Sequence, residues 1–220
     1  MGSAPKPDQV ERGLVPIRDV AGEALVLTPT RRQGILPIPI LQVPDRCRLG
    51  TDAATVALLE LRQPSIEEDP PALGDTVEAR FAMRRRKDLV RRWHRRVEVA
   101  SDSGATVARY SGGSPFHGGE VELQRGERLA WEVPPWHRGP RLPWLLRGSF
   151  RLLDGGVEVF RFEVAIGWQV EVVLSPAAWH RPDLPLLLLL GSYLAILAKL
   201  DARRLPLLVA AGLVGPGGDG

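Results

Sequence analysis

The sequence predicts a mainly β protein: a closed antiparallel barrel of about twelve strands that encloses a hydrophobic C-terminal α-helix. Three observations predict it. Short segments with alternating polarity or β-branched residues follow one another along most of the 220-residue chain. Turn sequences such as DSG at 102–104 and DGG at 154–156 separate many of them, because Gly and Asp accept positive φ. Close to the C-terminus, residues 184–198 carry no charge, and a helix that is apolar on every face must be covered by protein or lipid.

The predicted strands are clearest in the second half of the chain. They are residues 76–83, 89–100, 105–110, 119–124, 128–133, 148–153, 157–164 and 168–174. Weaker candidates come earlier, at 23–28, 34–43 and 55–62, and helix is an alternative for the last of these. Residues 64–74 contain several prolines and acidic residues and are predicted to be a loop.

We expect a single domain. Residues 1–21 are polar and contain prolines, and they are predicted to be a flexible leader. Residues 22–204 form the predicted barrel domain, with the central helix at 184–203, and residues 205–220 a C-terminal tail. Asp183 is the expected N-cap of the helix, and Pro206 is expected to stop it.

The apolar helix leaves two interpretations open. As an α-helix, residues 184–198 would span about 22 Å, which is short of a bilayer core about 30 Å thick. An extension through residues 205–214 would place the charged residues between 199 and 204 inside the bilayer, at a high cost. We therefore favour a helix buried in the barrel. The alternative is a tail-anchored membrane protein with a cytoplasmic β-domain.

Four segments carry a resemblance to a known family. They are RRWHRRVEV at 91–99, TVARY at 106–110, EVFRFEVAIGWQVEVVL at 158–174 and DLPLLLLLGSYLAIL at 183–197. In the order of these segments and in their local residue pattern, they resemble the tubby C-terminal-like superfamily, in particular the LURP-one-related and phospholipid-scramblase-like proteins. The resemblance covers about residues 75–200 and implies a barrel around a hydrophobic C-terminal helix, with lipid as a ligand. The chain lacks the cysteine-rich palmitoylation segment and the acidic calcium-binding strip of scramblases.

The densest charge feature is RRRKDLVRRWHRR at 84–96, in which Asp88 is the only acidic residue. Basic side chains attract anionic headgroups, and a tryptophan suits the depth of the membrane interface. Alternation along a strand would divide the cluster between two faces, so a solvated charged hairpin is the alternative. Nucleic acid is a less favoured ligand. The candidate residues for binding anionic lipid or phosphate are Arg84, Arg85, Arg86, Lys87, Arg91, Arg92, Trp93, Arg95 and Arg96.

Other chemistry is not indicated by the sequence. Cys47 is the only cysteine, which excludes an intrachain disulfide. A single free thiol suits a reducing compartment. The histidines show no metal-ligand spacing, and no grouping of nucleophile and base emerges. We therefore expect a non-catalytic cytoplasmic protein without cofactor or metal, peripheral to an anionic membrane surface. A structural or protein-interaction module without a lipid role is the alternative.

Overall fold

The computed structural model describes residues 13–33, 43–62, 71–87, 95–113, 118–133, 148–164 and 168–210. Twelve strands form a closed barrel in the order β1-β12-β11-β10-β9-β8-β7-β6-β5-β4-β3-β2. Each strand pairs antiparallel with its neighbours in sequence, and β12 pairs with β1 to close the ring. Closure leaves no free sheet edge, which confirms the predicted fold class.

The strands are short, and a single long helix follows them. The strands are β1 (Leu25–Gln33), β2 (Val43–Gly50), β3 (Thr55–Leu61), β4 (Ala72–Thr76), β5 (Arg80–Lys87), β6 (Arg95–Ser101), β7 (Thr106–Gly112), β8 (Gly119–Leu123), β9 (Arg128–Glu132), β10 (Gly148–Asp154), β11 (Val157–Val164) and β12 (Val170–Leu174). The helix α1 is Leu184–Ala210, and short 3-10 helices lie at Ile17–Val20 and Ala178–His180.

The helix α1 runs inside the barrel. A Cβ added to Gly191 of α1 would lie 2.1 Å from the Phe162 ring of β11. A Cβ added to Gly74 of β4 would lie 2.8 Å from the Leu189 side chain of α1. Because β4 and β11 lie on nearly opposite sides of the ring, the helix fills the space between them. This confirms the predicted enclosed helix.

The same helix passes a simple test for a membrane span. Leu184–Asp201 is long and apolar enough to cross a bilayer, with a mean hydropathy of 1.7. However, 89% of this window is buried inside the barrel. The apolar faces that a tail anchor would present to lipid therefore pack against the protein's own strands.

Two expectations near β4 are wrong. Residues 76–83 are a hairpin and not one strand, because β4 ends at Thr76 and β5 starts at Arg80. The Thr76 hydroxyl donates to the Ala79 carbonyl and accepts from the Ala79 N–H, each at 3.0 Å. These bonds close a turn inside a run of residues that otherwise favour β-structure. The predicted loop 64–74 contains the start of β4 at Ala72, and its residues 64–70 lie outside the described part of the chain.

The second half of the predicted leader is ordered, which is also a correction. Leu14 forms a parallel bridge with Thr55 at the start of β3. Ile17 and Val20 are 1% and 3% exposed and belong to the core. Their apolar side chains are buried at one end of the barrel, so residues 14–20 are fixed against it. Residues 1–12 lie outside the described residues.

The helix does not stop before Pro206 but continues to Ala210. A proline inside a helix removes one backbone hydrogen bond and kinks the helix, and it does not always end it. The central helix is therefore longer than the predicted 184–203, and the predicted tail begins later than residue 205.

The other strands agree with the predictions to different degrees. β7 to β12 lie where expected, with ends that shift by at most two residues. β6 occupies the end of the predicted strand 89–100, of which residues 89–94 lie outside the described residues. β2 was not predicted as a strand, and the candidate at 34–43 falls almost entirely outside the described residues.

The two ends of the barrel differ in their connections. At one end, here called the turn end, the five connections from β2–β3 to β10–β11 contain at most four residues each. The helix α1 also starts at this end, after β12. At the opposite end, here called the loop end, the connections contain five to fifteen residues, and each includes residues outside the described part of the chain.

Candidate functional site

The predicted basic cluster belongs to the β5–β6 hairpin at the loop end. Residues 84–87 complete β5, and residues 95 and 96 begin β6. Arg91, Arg92 and Trp93 lie between the two strands, outside the described residues. The structure therefore brings six of the nine candidates together in one two-stranded ladder.

The register of this ladder pairs like charges. Arg86 lies directly opposite Arg96, and Lys87 lies directly opposite Arg95. Two successive rungs of the hairpin, here called the basic rungs, therefore consist of four cationic residues. They are the rungs nearest the loop end, because β5 ends and β6 begins there.

Alternation divides the basic rungs between the two faces of the wall. In β6, Val97 and Val99 are buried while Arg96 is exposed. Arg95 therefore occupies a position of the opposite phase to Arg96, as predicted for adjacent residues of a strand. In β5, Arg84 is exposed, and Arg86 shares its phase. The Arg86–Arg96 rung thus belongs to the outer face, and the Lys87–Arg95 rung lies in the inward phase at the rim.

Charges on the outer face are balanced below the basic rungs. A single row in direct register crosses β5 to β9 and alternates in sign: Arg84, Glu98, Arg109, Glu122 and Arg128. Opposite charges directly across a strand pair stabilise a sheet by about 0.2–1 kcal/mol. The Nε of Arg109 lies 3.7 Å from Oε1 of Glu98. Arg84 therefore belongs to this charge row. On the outer face, the excess of basic residues begins at the Arg86–Arg96 rung.

At the turn end, Arg181 joins three segments of the chain. Its Nη1 donates to Oδ2 of Asp154 at 2.6 Å, and Nη2 also donates to Glu127. Nε and Nη2 donate to the two carboxylate oxygens of Asp183 at 2.9 and 3.0 Å. Burial alone would lower the pKa of Arg181, but hydrogen bonds to Asp183 and Glu127 raise it above its ordinary value. This Arg181 cluster connects the β8–β9 and β10–β11 turns to the start of α1.

The Arg181 cluster was not predicted from the sequence. Glu127 and Arg181 are 54 positions apart, and Asp154 and Arg181 are 27 apart, so no local pattern reveals the contacts. The expected N-cap is present in part: the carbonyl of Asp183 accepts the N–H of Leu187 at 3.0 Å. Its carboxylate is instead engaged by Arg181.

A groove of about 930 Å³ lies on the outer face of the strands from β10 through β12 to β2. Its lining mixes basic and acidic side chains. Arg161 donates to Oε1 of Glu158 at 2.9 Å and approaches Glu163 at 3.5 Å. The hydrogen bond to Glu158 raises the pKa of Arg161. Because carboxylates of the same wall occupy Arg161, the groove is a weak candidate for an anion site.

The loop end also contains a buried lysine of α1. Lys199 is 4% exposed, and its Nζ lies 5.7 Å from the centre of the Trp168 ring. Trp168 precedes β12 in the β11–β12 connection, which lies at the loop end. Residue 199 of α1 therefore lies beside the β11–β12 connection.

Within the described ranges, no group of three or more His, Cys, Asp or Glu side chains is placed to hold a metal ion. Comparison of the chain with protein-family profiles, with curated proteins and with solved structures finds no match. The function is therefore argued from the residues themselves.

Proposed function

We propose that the protein is a cytoplasmic, non-catalytic barrel that binds anionic lipid headgroups at a membrane surface through the basic rungs. The observation that carries the proposal is the register of Arg86 with Arg96 and of Lys87 with Arg95. Like charges directly opposite each other in an antiparallel pair are destabilising. An anionic surface attracts these four cationic residues, and each basic residue near such a surface contributes about 1 kcal/mol.

The distribution of charge along the barrel supports this orientation. The turns after β2, β4 and β6 each contain one acidic residue and no basic one, namely Asp52, Glu78 and Asp102. The acidic turns at one end and the basic rungs at the other favour an approach to an anionic surface with the β5–β6 hairpin first.

The architecture is consistent with the family resemblance. A closed barrel around a C-terminal helix is what the resemblance to the tubby C-terminal-like superfamily implies, and we propose that the chain belongs with those proteins. A reducing compartment suits the single buried cysteine. The family resemblance and the buried cysteine support lipid binding at the cytoplasmic face, but less directly than the basic rungs do.

The first test is co-sedimentation with vesicles of neutral lipid and of neutral lipid containing phosphatidylserine. We expect binding that rises with the anionic fraction and weakens at high salt. The variant Arg86→Gln/Arg96→Gln should bind the anionic vesicles about thirtyfold less, because two contributions of about 1 kcal/mol are lost.

The matched control is Arg109→Gln/Arg128→Gln, which removes the same charge from the balanced row on the same outer face. We expect its binding to stay within about twofold of the wild type, because Arg109 and Arg128 are paired with Glu98 and Glu120 of the same face. An equal loss in both variants would attribute binding to net charge and contradict the proposal. Equal binding to neutral vesicles would contradict a headgroup-charge mechanism, and no binding to any vesicle would favour the protein-interaction alternative.

A further inference from the structure

The groove on the outer face of the strands from β10 through β12 to β2 has no part in the proposed function. Its volume of about 930 Å³ lies in the range of ligand-binding clefts. Short residues such as Val26 and Gly50 line it together with long ones such as Arg48 and Glu171, and the difference in length makes the wall concave. Glu171 is exposed, so the groove is open to solvent.

The described lining residues of the groove carry no net formal charge. Three arginines and three acidic residues line it, namely Arg48, Arg151, Arg161, Asp52, Glu163 and Glu171. Such a balance gives little attraction to a polyanion or to a polycation. None of the described lining residues is aromatic, so the groove offers no ring on which a nucleic-acid base could stack. It therefore favours a ligand that carries both signs of charge.

Arg48 and Glu171 carry charges that no other described side chain pairs. Arg48 donates from Nη2 to the backbone carbonyl of Thr51 at 2.9 Å, and no described carboxylate lies within ion-pair distance of it. Glu171 forms no ion pair with a described residue, and it lies directly opposite Glu163 across the β11–β12 ladder. Asp52 also lacks an ion pair among these residues, but it lies on the β2–β3 turn, outside the sheet face that holds Arg48 and Glu171.

The strand β1 separates these two opposite charges. Glu171 of β12 lies opposite Val26 of β1, and Arg48 of β2 lies opposite Thr28 of β1. They are therefore two strands apart and offset by two residues, which places their Cα atoms about 12 Å from each other. At this separation they do not neutralise each other, and a ligand that crosses β1 can pair with both.

We propose that the groove binds an extended peptide segment of a partner protein, in which a basic and an acidic residue stand four positions apart. In an extended chain such residues lie on one face and about 13 Å apart, which matches the separation of Glu171 and Arg48. The basic side chain pairs with Glu171 and the acidic one with Arg48, while the residue midway between them lies over Val26. Because closure of the barrel leaves no edge for strand addition, side chains carry the recognition.

The groove and the basic rungs lie on different parts of the wall. Between β1 and the β5–β6 ladder, at least three strands intervene in either direction around the ring. A peptide in the groove therefore leaves the basic rungs free to meet a membrane. The inference does not depend on lipid binding, and each can fail without the other.

Four peptides with acetylated and amidated termini test the recognition: KTVTE, its uncharged analogue QTVTQ, and the like-charged KTVTK and ETVTE. The β-branched residues between the charges disfavour a helix, in which the two charged side chains would pair with each other. Fluorescence anisotropy of each labelled peptide with the full chain at low salt measures binding. We expect KTVTE to bind about tenfold more tightly than the other three, because only KTVTE forms two ion pairs with the groove.

A single substitution should reverse this preference. Glu171→Lys places a second cation in the groove, so ETVTE should bind about tenfold more tightly than KTVTE. Glu171 is exposed, and its substitution should leave the fold intact. The matched control is Glu122→Lys, which makes the same change of charge on the outer face of β8, away from the groove. This control should keep the preference of the wild type for KTVTE.

Other results overturn the proposal. Equal binding of KTVTE and KTVTK would mean that the acidic residues alone recognise the peptide. An unchanged preference in Glu171→Lys would place the peptide elsewhere on the barrel. Displacement of KTVTE by phosphatidylcholine vesicles would assign the groove to a dipolar lipid headgroup, and a dimer that Glu171→Lys abolishes would assign it to a second copy of the chain. Absence of binding by all four peptides also contradicts the proposal, whatever the vesicle co-sedimentation shows.

Discussion

The two ends of the barrel differ in the length of their connections and in the charges of the residues that face each other. At the turn end, connections of at most four residues, buried apolar residues of the leader and the Arg181 cluster hold segments together. At the loop end, the connections are longer and successive rungs oppose like charges. Among the described residues, the Arg181 cluster pairs opposite charges at the turn end, whereas the β5–β6 ladder places like charges opposite each other at the loop end. Stabilising contacts are thus found at one end, and the lipid-binding surface that we propose lies at the other.

This comparison predicts where substitutions cost stability. The largest effect is expected between the two ends, where α1 touches the wall. Gly191→Val should lower the free energy of unfolding by about 3 kcal/mol or more, because overpacking in a filled core forces the backbone or neighbours to move. The added Cβ would lie 2.1 Å from the Phe162 ring. Urea denaturation at neutral pH measures the change.

Gly148→Ala is the control for the Gly191 variant. Its new Cβ would lie 3.7 Å from Phe150, which is ordinary contact, so we expect a change of less than about 1 kcal/mol. If Gly191→Val were as stable as this control, α1 would have room to move. The core around α1 would then be more loosely packed than the contact with Phe162 indicates.

A smaller loss is expected at the turn end. Arg181→Met should destabilise the protein by about 2 kcal/mol, because it leaves three carboxylates without their shared cation. Arg181 is 13% exposed, but Glu127 and Asp154 are 38% and 44% exposed, which limits the effect. Thermal and urea unfolding measure it, and the anionic vesicle binding should stay unchanged because the basic rungs lie at the other end.

The matched control at the surface is Arg128→Met. Arg128 is 64% exposed and lies 3.5 Å from Glu120, so its loss should cost at most about 0.5 kcal/mol. An Arg181 variant no less stable than this control would contradict the stabilising role given to the turn end.

The smallest effect is expected in the wall between the ends, at Cys47 of β2. Desolvation by burial and then the charge of Asp45 raise the pKa of its thiol from 9.0 to about 12. A raised pKa in the folded state means that this stability is full below pH 9 and is lost as pH rises towards 12. At pH 10 the loss should be about 1 kcal/mol.

Comparison with Cys47→Ala isolates this contribution from other alkaline titrations. The difference in unfolding free energy between the two proteins should shrink from pH 8 to pH 10. A difference that does not depend on pH would mean that the thiol is accessible to water in the native barrel.

Local signals were sufficient where turns are made by Gly and Asp. The hairpins at DSG 102–104 and DGG 154–156 were predicted because these residues adopt turn conformations that few others do, with positive φ at Gly104, Gly155 and Gly156. The hairpin at Thr76 was missed because its turn depends on hydrogen bonds of one hydroxyl with Ala79. Residues 76–83 otherwise have the composition of a continuous strand.

The basic cluster was visible in composition, but its arrangement was not. Whether Arg96 opposes Arg86 depends on the register of β5 with β6, and a shift by one residue would have exchanged the faces of the wall. Register is fixed by the buried face, here by Val97 and Val99 against the interior. A linear sequence does not state which residue lies across the ladder.

By itself, the sequence determined that the C-terminal helix needs a cover on every side, because residues 184–198 offer no polar face to water. Only the tertiary structure decided that the cover is the protein's own wall. That decision depends on the pairing of β1 with β12, in which Leu25 lies opposite Val172. Contacts so distant in the chain leave no local pattern, and the Arg181 cluster was hidden for the same reason.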